Sequence, residues 1–183
     1  QNIAQQMNLQ QLIFLQQNHG VQGKQIATTD NQSQFFQTPG DYLITQKKDC
    51  GIGVVTADCL SIVLYDPMTH AAGIVHAGWK GLLTGVFEIA VQTLVEKFAV
   101  APENLEMYLG PAARPCCYEV REDFIDYFKK YENDTSIFIK KDGKTYFDSR
   151  SFITVIARSL GMKREKLYTR YNVCTICNLS FCS

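Results

Sequence analysis

The sequence is poor in imidazole and has no excess of charge of either sign. Only three histidines occur in 183 residues, too few to ligate a multinuclear copper cluster. The 18 basic and 18 acidic side chains cancel, which argues against a nucleic-acid partner and against a polybasic membrane patch. Long apolar runs are also missing, so neither a membrane span nor a secretory signal peptide is visible in the sequence.

Cysteine is more abundant, with seven residues. An odd number cannot pair completely into disulfides, and without a sign of secretion we expect reduced thiols and a cytoplasmic location. A hydrophobic content of 46% and a charged content of 20% are typical of one globular domain of this length.

The pattern of apolar residues predicts an α+β fold, a single domain over residues 1–183 with mixed β-sheets and flanking helices. Strands are expected at residues 12–15, 51–56, 60–65, 71–75, 105–109 and 166–171, with 41–45 as either a short helix or a strand. Asp142-Gly143 predicts a hairpin between residues 136–140 and 144–147. Helices are expected at 81–98, 121–131 and 150–160, the last capped by Asp148 or Ser149 and closed by Gly161.

Three side chains form a candidate metal site: His19, Cys59 and His76. Two imidazoles and a thiolate suit zinc or copper, and three protein ligands leave one tetrahedral position open, as in catalytic sites. Each residue also has an ordinary interpretation. His19 could be a surface-loop histidine, Cys59 a buried small thiol, and His76 a hydrogen-bonded core histidine.

Two neighbours of these residues extend the candidate site. Residues 77–81 run from His76 into a predicted helix, whose first N–H groups attract anions. Lys80 would add a cation for phosphate there, unless it is an ordinary solvated lysine. Asp58 precedes Cys59 and is a candidate catalytic group, as a proton acceptor or as the acceptor that orients an imidazole. It could equally be a turn residue.

Five short motifs, in order, resemble one protein family. They are His19-Gly20, Thr-Ala-Asp-Cys at 56–59, His-Ala-Gly-Trp-Lys-Gly at 76–81, Leu-Gly-Pro-Ala at 109–112 with Cys-Tyr-Glu-Val at 117–120, and Cys174-Thr175. The chain resembles the bacterial laccase-domain family, once described as multicopper polyphenol oxidases and now as purine nucleoside phosphorylases with adenosine deaminase activity. The resemblance covers nearly the whole chain.

The resemblance implies a zinc enzyme. The implied reaction is phosphorolysis of purine nucleosides of the adenosine, inosine, guanosine and methylthioadenosine class, with phosphate as partner and adenosine deamination as a second activity. Cys59, His76 and Asp58 would be catalytic, and the metal ligands would be His19, Cys59 and His76. The resemblance also implies that both ends of the chain are truncated. The sequence does not decide whether the protein forms a homo-oligomer.

Residues 110–118 are a second candidate part of the site. Arg114 could hold phosphate or a ribose hydroxyl with its planar guanidinium, and Tyr118 could stack on a purine. A surface arginine and a core tyrosine are equally consistent with the sequence.

The other cysteines allow two interpretations. Cys174 and Cys177 have the spacing of a zinc knuckle, which Cys116 and Cys117 could complete, but vicinal cysteines are awkward joint ligands. We therefore expect Cys177 and Cys182 to be buried or loop thiols, and Cys174 to line the pocket.

Three alternatives to a zinc phosphorylase remain at this point. A copper-dependent, laccase-like polyphenol oxidase would use the same two histidines and cysteine. A cysteine hydrolase would use Cys59 as nucleophile with His76 or His19 as base. In a protein without enzymatic activity, zinc would only brace the fold.

Overall fold

A six-stranded mixed sheet forms the centre of the protein. The computed structural model describes residues 3–27, 37–131, 136–181 and 183. The strands are β1 Gln11–Ile13, β2 Gly23–Ile26, β3 Tyr42–Thr45, β4 Cys50–Ile52, β5 Leu60–Asp66, β6 Ala71–Ala77, β7 Glu106–Leu109, β8 Glu119–Val120, β9 Phe138–Lys141, β10 Lys144–Phe147 and β11 Leu167–Tyr168. The helices are α1 Ile3–Gln6, α2 Trp79–Thr84, α3 Val86–Phe98, α4 Glu122–Tyr127 and α5 Ser149–Ser159.

The order of strands in the large sheet is β11-β7-β5-β6-β3-β2. Strand β5 pairs antiparallel with both β6 and β7, whereas β2 with β3 and β7 with β11 are parallel pairs. Two smaller sheets accompany it: a parallel pair of β1 and β4, and an antiparallel sheet in the order β8-β10-β9. This is the α+β architecture with mixed sheets that the sequence predicts.

The main core lies between the large sheet and helices α3 and α5. Alternate residues of β5 (Leu60, Ile62 and Leu64) are fully buried, as expected for a strand with one face on a core. They share one apolar cluster with Phe87 and Leu94 of α3. Burying each such side chain stabilises the fold by about 1.5–3 kcal/mol. The packed core therefore fixes the positions of the residues at the ends of these strands.

The predicted helix over 81–98 is wrong in its boundaries and continuity. The structure has two helices there, because Gly85 takes a left-handed conformation with φ of 89°. The first helix, α2, begins at Trp79 and has only six residues. A helix this short has a weak dipole, so the anion site expected at its start loses part of its physical basis.

Other predicted elements are confirmed with shifted ends. Residues 41–45 are the strand β3, and the hairpin turns at Asp142 and Gly143 between β9 and β10. Asp148 caps α5 by accepting a hydrogen bond from the Arg150 N–H. The strands expected at 51–56 and 166–171 shrink to β4 and β11, and the helix expected at 121–131 divides into α4 and a 3₁₀ turn. Among the described residues, none of the helices is long and apolar enough to cross a bilayer.

Candidate metal centre

The sheet register brings His76 and Cys59 to the same end of neighbouring strands. Cys59 directly precedes β5, and His76 is the penultimate residue of β6, which pairs antiparallel with β5. His19 reaches them from the loop between β1 and β2, where its φ of 60° lies in the left-handed region. Asp58 also has a left-handed φ, of 72°. Such conformations in non-glycine residues cluster at functional sites.

The three predicted ligands converge. One ligand atom from each of His19, Cys59 and His76 lies within 4.8 Å of the others. The Cys59 Sγ and the His19 Nε2 are 3.8 Å apart, and the two imidazole rings meet edge to face at 4.7 Å. Zinc–nitrogen and zinc–sulfur bonds place tetrahedral ligand atoms roughly 3.3–3.8 Å from one another. The donor set therefore fits one ion with small side-chain movements.

A carboxylate that sequence reasoning missed holds two of these ligands in place. Asp41 is fully buried and accepts a 2.7 Å hydrogen bond from the His76 Nδ1. It also accepts from the backbone N–H groups of His19 at 3.0 Å and Gly20 at 2.7 Å. The Asp41 main-chain oxygen accepts from the His76 N–H as well. Asp41 thus fixes both the His19 loop and the His76 ring.

The hydrogen bond to Asp41 sets the tautomer of His76. The Nδ1 carries the proton because it faces an acceptor-only carboxylate, so the Nε2 lone pair is available to a ligand. Burial lowers the pKa of His76, although Asp41 opposes this effect, and His19 lowers it further. A neutral imidazole held by a carboxylate on its other nitrogen is the usual arrangement for a metal-binding histidine.

The surroundings of Cys59 favour a metal ligand over a free nucleophile. Burial raises the pKa of the Cys59 thiol, and the carboxylates of Asp58 and Asp41 raise it further. A catalytic cysteine needs the opposite shift, toward the thiolate. A bound cation would reverse the balance by stabilising the thiolate directly. The surroundings of Cys59 therefore favour a role as metal ligand over a role as the nucleophile of a cysteine hydrolase.

Gly78 leaves the space that the centre occupies. A Cβ atom at this position would lie 2.8 Å from the His19 Cδ2 and 3.2 Å from the Cys59 Sγ. The lack of a side chain at the start of α2 thus keeps the ligand atoms accessible to an ion. Its own φ of −66° needs no glycine, so the requirement is one of space.

We predict that Gly78→Ala weakens metal binding while leaving the protein folded. Overpacking of this kind costs about 1–3 kcal/mol, which corresponds to roughly 5–150-fold weaker zinc binding. Gly73→Ala is the matched control, since a Cβ there makes only ordinary contacts of 3.4–3.5 Å. Zinc affinity by competition with a chromogenic chelator measures the effect. Equal affinities for the two variants would contradict the steric argument.

A cleft of about 170 Å³ opens beside the centre. Its walls contain the following residues: Asp58, Cys59, Leu60, Ala77, Gly78, Trp79, Leu82, Ala113, Tyr118, Phe147, Ser149 and Ile176. Three aromatic rings face one volume with few polar groups, as in sites for flat organic ligands. Burial, with Cys59 and Asp58 nearby, raises the pKa of Tyr118 to about 12, so its hydroxyl stays protonated at neutral pH.

The other predicted site residues occupy different positions. Arg114 contacts Asn172 with its guanidinium and lies 3.6 Å from an oxygen of Asp148, so protein groups already engage it. Lys80 is exposed, with its Nζ 5.6 Å from the Trp79 ring centroid. Within the described part of the chain, neither Arg114 nor Lys80 belongs to the cleft wall.

Asp58 connects the cleft to the end of the chain. Its carboxylate accepts hydrogen bonds from the hydroxyls of Thr175 at 2.6 Å and Ser183 at 3.0 Å. The sequence suggested Asp58 as the acceptor that orients an imidazole. In the structure Asp41 has this role, because it accepts the hydrogen bond from His76. Asp58 nevertheless lines the cleft next to Cys59.

Fold and site together define an α+β domain in which a His-Cys-His donor set borders an aromatic cleft. The whole chain, residues 1–183, matches the family model described as multi-copper polyphenol oxidoreductase laccase. The chain belongs to this family, as its motifs predicted.

Curated relatives carry the name purine nucleoside phosphorylase. One from Clostridium acetobutylicum is 28% identical over 98% of this chain and 72% of its own length. Relatives from Borreliella burgdorferi and Aquifex aeolicus are 33% and 32% identical, over 75% and 76% of this chain. The alignments cover 59% and 61% of those two relatives, so the chain spans about three-fifths of their length.

Solved structures confirm the fold. The hypothetical protein YfiH of Bacillus licheniformis has a TM-score of 0.85 at 24% identity, over 94% of this chain and 67% of that one. The protein NMB0706 of Neisseria meningitidis has a TM-score of 0.80 at 27% identity, over 99% of this chain and 71% of its own.

Proposed function

We propose that the protein is a zinc-dependent purine nucleoside phosphorylase. The observation that carries this proposal is the neutral, carboxylate-held His76 beside His19 and Cys59, at the edge of an aromatic cleft. The names of the relatives support the substrate class. When bound, zinc would supply Lewis-acid chemistry at neutral pH through an open coordination position.

The cleft suits a purine base. Trp79 and Tyr118 offer aromatic faces for stacking, and Phe147, a core residue whose ring meets Tyr118 edge to face at 5.6 Å, adds an apolar surface to the same wall. Asp58 and Ser149 are polar groups of the same wall and can meet ribose hydroxyls. The proposed substrates are adenosine, inosine, guanosine and methylthioadenosine, with phosphate as the second substrate.

The residues of the site act mainly by holding groups in place. In phosphorolysis the bond between the purine nitrogen and the ribose C1′ breaks, a phosphate oxygen forms a bond to C1′, and the proton of HPO4²⁻ ends on the released purine. This transfer is dissociative in character, so position and charge matter more than a strong base. Asp41 orients His76, while Tyr118 and Trp79 hold the base. Asp58 is the proposed proton acceptor. Adenosine deamination is the proposed second activity of the same cleft.

Copper chemistry is the competing proposal, because the family model carries a copper oxidase description and two histidines with a cysteine also bind copper. A four-electron oxidase needs several coppers. With three histidines in the sequence, one of them exposed at the β5–β6 turn and hydrogen-bonded to Tyr65, the imidazoles for such a cluster are lacking.

Phosphate dependence tests the proposal. The chain, loaded with one metal at a time, is incubated with inosine across a range of phosphate concentrations, and free base and ribose 1-phosphate are measured. We expect equal amounts of both products, only with phosphate, and a higher rate with zinc than with copper. Base release without phosphate, or oxidation of phenols with copper and no cleavage of nucleosides, would overturn the proposal.

We predict that Lys80→Ala raises the KM for phosphate about tenfold, which corresponds to one charge-assisted hydrogen bond. Lys80 follows Trp79 of the cleft wall, so its ammonium can reach an anion at the rim. The kcat for inosine and the rate of adenosine deamination without phosphate should change little. Lys97→Ala, an exposed lysine in the last turn of α3, is the control. Equal losses in both reactions would show that Lys80 acts on the nucleoside or the fold.

A further inference from the structure

A second group of potential metal ligands lies outside the candidate centre. The sulfur atoms of Cys116, Cys117, Cys174 and Cys177 all lie within 4.8 Å of one another. The Cys116 and Cys177 Sγ atoms are 3.8 Å apart. Cys177 is an exposed free thiol in a turn, as expected, but it lies within this cluster, and Cys174 joins the cluster instead of the cleft wall. Cys182 lies outside the described residues.

The backbone holds the two cysteine-bearing segments together. Ala112 pairs with Cys174 in a parallel bridge, in which the Ala112 N–H donates to the Val173 oxygen and the Thr175 N–H donates to the Ala112 oxygen. Asn172 donates from its side chain to the Gly110 oxygen and accepts from Arg114. The positions of both cysteine pairs are thus fixed by contacts other than those of the sulfurs.

Neighbouring cysteines in a chain are awkward joint ligands, but the turn of residues 114–118 allows Cys116 and Cys117 to face the same partners. The N–H groups of Cys117 and Tyr118 both donate to the Arg114 oxygen at 2.8 Å. This tight turn brings the sulfurs of Cys116 and Cys117 within reach of the same two partners.

We propose that these four cysteines bind a structural zinc ion. Four thiolates complete a tetrahedral shell without an open position, which is the pattern of structural zinc. Zinc–sulfur bonds of about 2.3 Å imply sulfur atoms about 3.8 Å apart. The separation of Cys116 and Cys177 already matches this value.

The groups around the cluster shift the pKa values of its thiols in opposite directions. Although burial opposes it, backbone hydrogen bonds from Cys177 and Arg114 and the Cys116 thiol lower the pKa of Cys174 to about 6. Burial and the neighbouring sulfurs raise the pKa of Cys116 to about 12.

This zinc would brace one wall of the cleft. Thr175, between two of the ligands, donates to Asp58, and the Ala113 N–H donates to the Asp58 main-chain oxygen at 2.9 Å. Ala113, Tyr118 and Ile176, all within three residues of a cluster cysteine in sequence, line the cleft. The ion would therefore fix the position of these lining residues, whatever reaction the cleft supports.

Zinc counting in variants of the full chain tests the site. The wild-type protein, purified with a thiol reductant and loaded with zinc, should bind two ions per chain by elemental analysis. The double variant Cys116→Ser/Cys177→Ser should bind one, and His19→Ala/His76→Ala should also bind one. Cys50→Ser, a free cysteine of β4 outside both groups, should keep two. A single ion in the wild type, unaffected by the double cysteine variant, would overturn the proposal.

Cobalt provides a second readout that does not depend on the double cysteine variant folding. In a Cys59→Ser background, Co²⁺ should bind and give intense thiolate charge-transfer absorption from four sulfurs, which an equivalent of Zn²⁺ removes. Weak absorption would contradict a four-thiolate site. Iron at these positions in the purified protein, or a mass two hydrogens lower that marks a disulfide under reducing conditions, would also overturn the zinc assignment.

Discussion

Cys59→Ala is expected to remove the metal of the His19-Cys59-His76 centre and to abolish phosphorolysis. The thiolate is the one anionic ligand of the set, and its Sγ lies 3.8 Å from the His19 Nε2. Changes around a zinc ligand typically cost about 10–100-fold in affinity, so loss of the ligand itself should cost more than about 100-fold. Zinc content after dialysis and the rate of inosine phosphorolysis should fall together.

Cys50→Ala is the matched control for this variant. Cys50 is also a partly buried free cysteine, but it lies in β4 and contacts the Gln11 side chain. It should keep both zinc and activity. Turnover that persists in metal-free Cys59→Ala protein would refute the zinc-dependent mechanism.

Asp41→Ala is expected to damage the fold and the site at once. Removal of the carboxylate leaves the buried His76 Nδ1 and the His19 N–H without their acceptor, while the Gly20 N–H keeps the Asn18 side-chain oxygen at 3.2 Å. A buried donor left without its partner costs about 1–3 kcal/mol. Asp41→Asn keeps an acceptor oxygen and the side-chain volume. It should retain the fold and still bind zinc about 10–100-fold more weakly, since His76 loses its orienting carboxylate.

Asp66 is the control that separates stability from metal binding. It is also fully buried, and it accepts from the Met68 N–H and the Thr69 hydroxyl in the turn at the other end of β5. Asp66→Asn should lower the free energy of unfolding without changing zinc affinity. Urea unfolding and chelator competition measure the two quantities. Normal zinc affinity in a folded Asp41→Asn protein would show that Asp41 does not position His76.

The convergence of the three candidate ligands could be anticipated because they stand in short motifs. His19, Cys59 and His76 are histidines and a cysteine beside glycines and strand ends, and the pairing of β5 with β6 brings two of them together. The hairpin at Asp142-Gly143 and the cap at Asp148 were predictable for the same reason, since each depends on local backbone chemistry. Gly85 was missed as a helix break because a single glycine is often tolerated within a helix.

Asp41 and the four-cysteine cluster depend on contacts far apart in sequence. Asp41 meets His76 across 35 residues, and its role follows only from burial next to N–H donors. An aspartate before a strand gives no sequence signal for this. Cys116 and Cys177 are 61 residues apart, and they meet through the bridge between Ala112 and Cys174 together with the contacts of Asn172. Arg114 was predicted to bind phosphate from its type alone, and the fold gives it Asp148 and Asn172 as partners.

Anomalous diffraction at the zinc edge, from crystals of zinc-loaded protein that cleaves nucleosides, tests the central claim most directly. We predict a peak in contact with the His19 Nε2, the Cys59 Sγ and the His76 Nε2, with Asp41 on the opposite nitrogen of His76. A second peak should lie among the four cysteines. Catalytically active crystals without a peak at His19, Cys59 and His76 would contradict the account.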